Sequence, residues 1–142
     1  HPAGCTIAQI IAESAYQGDL SQLAKEDHNL FGMKWANSFA GCNGVVGPAN
    51  WDTNEEYDGQ YVQINDAFIE FESDKACIRF RSEVFLQAST YADNALIQQA
   101  IADRSSKLMA EGLQDAGWAT DSSYADKLIA IMDEYDLYRF DI

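Results

Sequence analysis

Three glutamates stand where chemistry could be done: Glu13 in "IAQIIAESAYQGD", and Glu55 and Glu56 in "TNEEYDGQY". The stretch from Ile7 to Asp19 reads as one short helix ending at Gly18, with Ile7, Ile10 and Ile11 on one side and the small Ser14 among them. Thr6, Gln9, Glu13 and Tyr16 form a second stripe alongside, so Glu13 borders the core stripe. A polar stripe is ordinarily the wet face of a helix, and glutamate is a good helix former. This stripe, however, lacks lysine and carries hydrogen-bonding and aromatic groups of the kind that line sugar sites.

The other two glutamates are separated by strand alternation. Asp58-Gly59 lies between two strand-like runs, the strongest short-range signal for a two-residue hairpin turn. Such a turn fixes the register, pairing Tyr57 with Gln60, Glu56 with Tyr61, Glu55 with Val62 and Asn54 with Gln63. Glu55 then shares a face with Tyr57, Gln60, Val62 and Ile64, and Glu56 shares the other with Asn54, Tyr61 and Gln63. A carboxylate on the more apolar face is the unusual one, because desolvating it is costly unless it is paired or used. Glu55 is therefore the functional candidate and Glu56 the solvated one.

Other chemistries fail on their own spacing rules. "DTNEEYDG" begins like a calcium loop, but Tyr57 stands where the sharp turn needs glycine and Gln63 where a bidentate glutamate is required. There is no HExxH, GxSxG or phosphate-binding glycine-rich loop, and His1 and His28 are too few for a histidine metal cluster. No metal or other cofactor is expected. A Cys42/His28 pair has no local support, and Cys77 falls on an apolar helix face with Phe80 and Val84, where it reads as a small core residue. Three cysteines without CxxC spacing allow at most one disulfide.

The elements that must position these residues are mostly helical. "LSQLAKEDHNLFGMKW" carries a short helical pattern into Gly32, and "NSFAGCNGVVGPAN" concentrates loop-forming residues. After the hairpin, Ser73 reads as an N-cap, followed by helices over 74–89, 95–102, 107–116 and 122–135, the last capped by Asp121. The 142 residues fit one domain, 1–142, without repeats or low-complexity tracts. The fold class expected is α+β, mainly helical, with one small β-hairpin lobe forming a lip over a cleft. A net charge of -14 with only 9 Lys and Arg argues against nucleic acid and against anionic surfaces. No apolar run reaches membrane-spanning length, so no membrane insertion is expected, and no signal peptide is recognisable.

"AQIIAES", "LAKEDHNLFGMKW", "TNEEYDGQY" and "AGWATDSSYADKLIAIMDEYDLYRFD" together resemble, in order and spacing, glycoside hydrolase family 73, the peptidoglycan endo-β-N-acetylglucosaminidases of flagellar and autolytic wall hydrolases. The resemblance covers nearly the whole chain. It implies a lysozyme-like fold and hydrolysis of the bond from N-acetylglucosamine to N-acetylmuramic acid in peptidoglycan glycan strands. The family's catalytic glutamate falls on Glu13, as general acid, and the glutamate of its β-lobe motif on Glu55. Glu55 could activate water across the ring, or stabilise positive charge while the substrate's acetamido group attacks. Tyr124 would lie near the cleft as a sugar-binding or charge-orienting group, or else be a core tyrosine of the last helix; Trp118, Asn29, Phe31 and Tyr16 complete the expected substrate contacts. His28, Trp118 and Ile69 depart from the residues common at their positions, and the loop with Cys42, just before Trp51, reads either as a specificity device or as a variable surface loop. The resemblance further implies a monomeric catalytic domain of a larger protein, acting outside the cell or in its envelope.

Overall fold

The computed structural model describes residues 1–15 and 20–142, with the side chains of 54–57 outside that description. Tyr16 and Gly18 fall outside the described residues, but the first helix, expected to end at Gly18, already ends at Ser14 with Ala15 as its C-cap. In chain order the elements are α1 (Ala3–Ser14), α2 (Gln22–Asp27), β1 (Val45–Tyr57), β2 (Gln60–Phe71), α3 (Asp74–Glu83), α4 (Ser89–Ala92), α5 (Ala95–Asp103), α6 (Ser106–Asp115) and α7 (Tyr124–Tyr135). Short 3-10 turns lie at Asn37–Phe39, Phe85–Gln87 and Leu137–Phe140.

Helix α1 starts earlier than its isoleucines suggest because its open N-terminus is anchored from elsewhere in the chain. The Gly4 N–H donates to Asp141 Oδ1 at 2.8 Å and the Cys5 N–H to Ser106 Oγ at 2.9 Å, satisfying donors that have no partner inside a helix. Gly4 is required at this crossing, since a Cβ there would meet the Leu137 carbonyl at 2.6 Å. The buried line of α1 runs through Cys5, Ala8 and Gln9, whereas Ile7, Ile10 and Ile11 are half-buried. Of the stripe that carries Glu13, Gln9 is buried and Thr6 half-buried.

Asp58 and Gly59 both adopt positive φ, 50° and 77°, the backbone of a type I′ turn. The register is the one the turn demands, with Glu55 opposite Val62 and Glu56 opposite Tyr61. The ribbon is longer than expected, because the second half of "NSFAGCNGVVGPAN" is strand rather than loop. Pro48 is tolerated there because β1 is an edge. Its inner neighbour β2 is also flanked by the segment around Lys34, through Trp35 N–H to Ala67 O at 2.9 Å and Ile69 N–H to Met33 O at 3.1 Å.

Ser73 caps α3 through Ala76 N–H as expected, but the helix ends at Glu83 instead of continuing to residue 89. The break frees Phe85 to pack its ring against Phe39, Tyr91 and Trp118, with centroids at 6.1, 5.9 and 5.3 Å. Asn94 and Ser105 cap α5 and α6, and Asp121 accepts from the Ser123 N–H ahead of α7, which starts at Tyr124. The apolar interior forms two clusters. One gathers Cys5, Ala8, Ile97, Met109, Leu113, Leu128 and Met132 from the helices; the other gathers Leu30, Phe31, Met33, Ile69, Phe71, Cys77 and Phe80 against the ribbon's base. Phe85 and Trp118 pack against both, so they mark the seam. All three cysteines are free, with Cys5 and Cys77 buried and Cys42 half-buried.

Candidate active site

An open cleft of about 500 Å³ lies along this seam, lined by Glu13, Gly32, Lys34, Phe39, Tyr91 and Trp118 among others. Glu13 enters it from the last turn of α1. Opposite, Gly32 holds the chain in a φ of +66°, and a Cβ on it would come within 4.0 Å of Glu13 Oε2. The wall carrying Gly32 is rigid for a reason legible in its bonds. Asn29 is fully buried, its side-chain amide donating to Met33 O and Ile69 O at 2.9 Å each while Oδ1 accepts from the Met33 N–H at 3.0 Å.

That geometry corrects one expectation. Asn29 spends its hydrogen bonds on the backbone and is closed to solvent, so it shapes the cleft wall rather than touching substrate. Phe31 is nearly as enclosed, reaching the cleft while carrying the Arg81 guanidinium 5.0 Å above its ring. Trp118 is half-buried on the cleft wall. His28 pairs with Asp74 at 2.9 Å, so the Cys42/His28 alternative has no geometric support. Trp51 belongs to β1, where its indole N–H donates to Asp27 Oδ2 at 2.6 Å and ties the ribbon to α2.

Glu13 remains open to solvent as a residue, but its carboxyl is crowded from behind. Burial of that group pushes its pKa above the ordinary 4.5, partly offset by hydrogen bonds from Tyr124 and Trp118. The Tyr124 hydroxyl donates to Glu13 Oε1 at 2.9 Å and accepts from Gln9 Nε2 at the same distance. Gln9 Oε1 in turn accepts from Arg81 Nε at 2.9 Å and from a second guanidinium nitrogen at 2.6 Å. Gln9 and Arg81 were not among the expected site residues. A signal existed for both: Gln9 precedes Glu13 by one helical turn, and Arg81 sits among Cys77, Phe80 and Val84, where an apolar side chain belongs.

Glu55 and Glu56 lie on β1, whose far half alternates in burial. Trp51 and Thr53 are half-buried while Asn50 and Asp52 are exposed. In the ribbon's register Glu55 stands opposite Val62 and Glu56 opposite Tyr61. The Glu55 side chain itself is outside the described residues. A larger depression of about 610 Å³ beside the N-terminus of α3 has walls of exposed charge, including the paired Arg79 and Glu83, with Phe80 as its one aromatic lining residue among those described.

A helical body with one β-ribbon, and an aromatic-lined cleft that holds a carboxyl of raised pKa, is the plan of the lysozyme-like glycoside hydrolases. Comparison with known proteins makes the class specific. Over residues 1–137 the chain matches the family described as glucosaminidase, mannosyl-glycoprotein endo-beta-N-acetylglucosaminidase, and it belongs to that family, glycoside hydrolase family 73. It is 29% identical over 136 residues to the exo-glucosaminidase LytG of Bacillus subtilis (strain 168), covering 96% of this chain and 45% of that protein. The chain thus spans less than half the length of this curated relative. Among solved structures it resembles the catalytic domain of the autolysin Auto from Listeria monocytogenes, at 27% identity and a TM-score of 0.67, covering 96% of this chain and 73% of that one. It also resembles a peptidoglycan hydrolase mutant from Sphingomonas sp. A1, at 25% identity and a TM-score of 0.64, covering 97% of this chain and 83% of that one.

Proposed function

We propose that this chain hydrolyses the β-1,4 bond from N-acetylglucosamine to N-acetylmuramic acid in the glycan strands of bacterial peptidoglycan. The observation that carries the reading is the Glu13 carboxyl, raised in pKa by burial and bonded to Tyr124 at the edge of an aromatic-lined cleft. With Oε1 engaged by Tyr124, Oε2 is left on the side of Gly32 to carry the proton that passes to the leaving glycosidic oxygen. Trp118 and Tyr91 supply flat apolar surface on which sugar rings stack. Glu55, opposite Val62 in the ribbon's register, is the second carboxylate. It either activates the attacking water or stabilises positive charge while the substrate's acetamido group attacks, and both routes end in net hydrolysis. The reading extends to residues 1–142 as one monomeric catalytic domain of a larger protein that works outside the cell or in its envelope. Among the described residues no helix is long and apolar enough to cross a membrane.

Mass spectrometry of digested peptidoglycan tests this. Fragments ending in reducing N-acetylglucosamine are expected. Reducing muramic acid ends would make it a muramidase, anhydromuramic ends a lytic transglycosylase, and intact strands a binding module that has lost catalysis.

A further inference from the structure

Arg81 is fully buried, and among the described residues no carboxylate pairs with it. A buried cation in that situation is expensive unless hydrogen bonds satisfy it. Those bonds run in one direction. A guanidinium only donates, so the Gln9 atom facing Arg81 must be the carbonyl Oε1, which leaves the Nε2 amide facing Tyr124. An amide N–H also only donates, so the Tyr124 oxygen accepts from it. The single hydroxyl proton of Tyr124 then has Glu13 Oε1, 2.9 Å away, as its acceptor. At the far end Arg81 is steadied by donation to Thr6 Oγ1 at 3.1 Å and by the Phe31 ring beneath it.

We propose that Arg81 is a positioning residue for glycoside cleavage: through Gln9 it dictates that Tyr124 donates to Glu13 rather than accepting from it or turning away. Replace the guanidinium by an apolar group and the Gln9 amide is free to flip. Tyr124 can then donate to Gln9 instead, and Glu13 loses the bond that both orients it and favours its ionised form. Desolvation draws the Arg81 pKa down to about 10, so the cation persists across the working range. Among the described residues the other titratable groups facing the relay are the thiols of Cys5 on α1 and Cys77 on α3, each pushed up to about 12 by burial and therefore neutral there. The inference rests on Glu13 being the general acid, and the experiment separates the two claims.

The measurement is the pH dependence of kcat and kcat/KM on peptidoglycan for wild type, Arg81→Met, Arg81→Lys, Tyr124→Phe and the Arg81→Met/Tyr124→Phe double variant. Activity requires protonated Glu13, so it falls on the alkaline side as that carboxyl ionises. Losing the Tyr124 donor raises the carboxyl pKa, so both single variants, Arg81→Met and Tyr124→Phe, should move the alkaline limb to higher pH by about half a unit or more. On the acid plateau kcat should fall about tenfold or more, with KM little changed. The double variant should behave as Tyr124→Phe alone, because the two residues act along one chain, and Arg81→Lys should recover part of the loss. An Arg81→Met variant that loses rate without moving the limb, or whose effect simply adds to that of Tyr124→Phe, overturns the proposal. If Arg81→Met does not fold, neutron diffraction from deuterium-exchanged wild-type crystals decides instead. A Tyr124 deuteron directed at Glu13 Oε1 supports the relay, and one directed at Gln9 overturns it. Glu13→Gln with wild-type turnover would sink the general-acid reading itself, whatever the hydroxyl direction.

Discussion

Glu13 is the residue whose ionisation the surrounding structure opposes, and that opposition is measurable without substrate. Its carboxyl has a higher pKa in the folded chain than the ordinary 4.5, so the folded state holds the proton more tightly than the unfolded state does. The stability this contributes is complete below pH 4.5 and is lost as the pH rises through the folded value. Glutamine cannot ionise but still accepts from Tyr124. Glu13→Gln should therefore collapse turnover while glycan binding persists, and should melt at a higher temperature than wild type at pH 7. The difference should vanish near pH 4 in thermal melts; an equal gain at both pH values would mean that the effect is not ionisation. Glu13 was singled out in the sequence because its helical stripe lacks the lysine of an ordinary wet face. Asn29 was expected to touch substrate and Arg81 was not singled out, since a polar side chain buried with its bonds satisfied has the same spelling as an exposed one. Only tertiary partners, Ile69 for Asn29 and Gln9 for Arg81, distinguish the two cases.

The ribbon was the most legible element, because Asp58-Gly59 fixes both turn type and register through local backbone chemistry alone. Its length was not, since Val45 to Asn50 carry glycine and proline that usually signal a loop, and only pairing with β2 makes them strand. The helix expected over 74–89 likewise breaks at Val84 for a tertiary reason, the aromatic packing of Phe85. Register has a functional consequence that local sequence makes sharp. Glu55→Gln should impair turnover severely, whereas its neighbour Glu56→Gln, opposite Tyr61 in the register, should stay close to wild type in steady-state assays of folded protein. The reverse order would mean that the ribbon presents its other face to substrate. Between α5 and α6 the decisive residue is Gly112, where a Cβ would meet Ile97 Cγ1 at 2.6 Å and Ile97 N at 3.0 Å. Gly112→Ala should cost about 1–3 kcal/mol in denaturant unfolding, the usual range for overpacking, with the pH profile of activity unchanged.

For the molecule as a whole, charge sets the terms of approach. A net charge of -14 repels walls rich in anionic polymers, and added salt screens that repulsion over a length that shrinks to about 10 Å at 0.1 M. Cleavage of such walls by the isolated chain should therefore speed up as salt is added from near zero to about 0.1 M; rates that fall steadily over that range would contradict it. The division of the interior into two clusters has its own consequence. Cys5 lies in the helical cluster and Cys77 in the one against the ribbon, both enclosed with thiols pushed up to about 12, while Cys42 is half-exposed. Reactivity toward an alkylating label depends on access and on the thiolate fraction, so Cys42 takes up label from the native chain and the other two do so only when their own half opens. Each half of the molecule thus carries a built-in clock, and brief pulses of label would reveal whether the halves on either side of the cleft come apart together or one before the other.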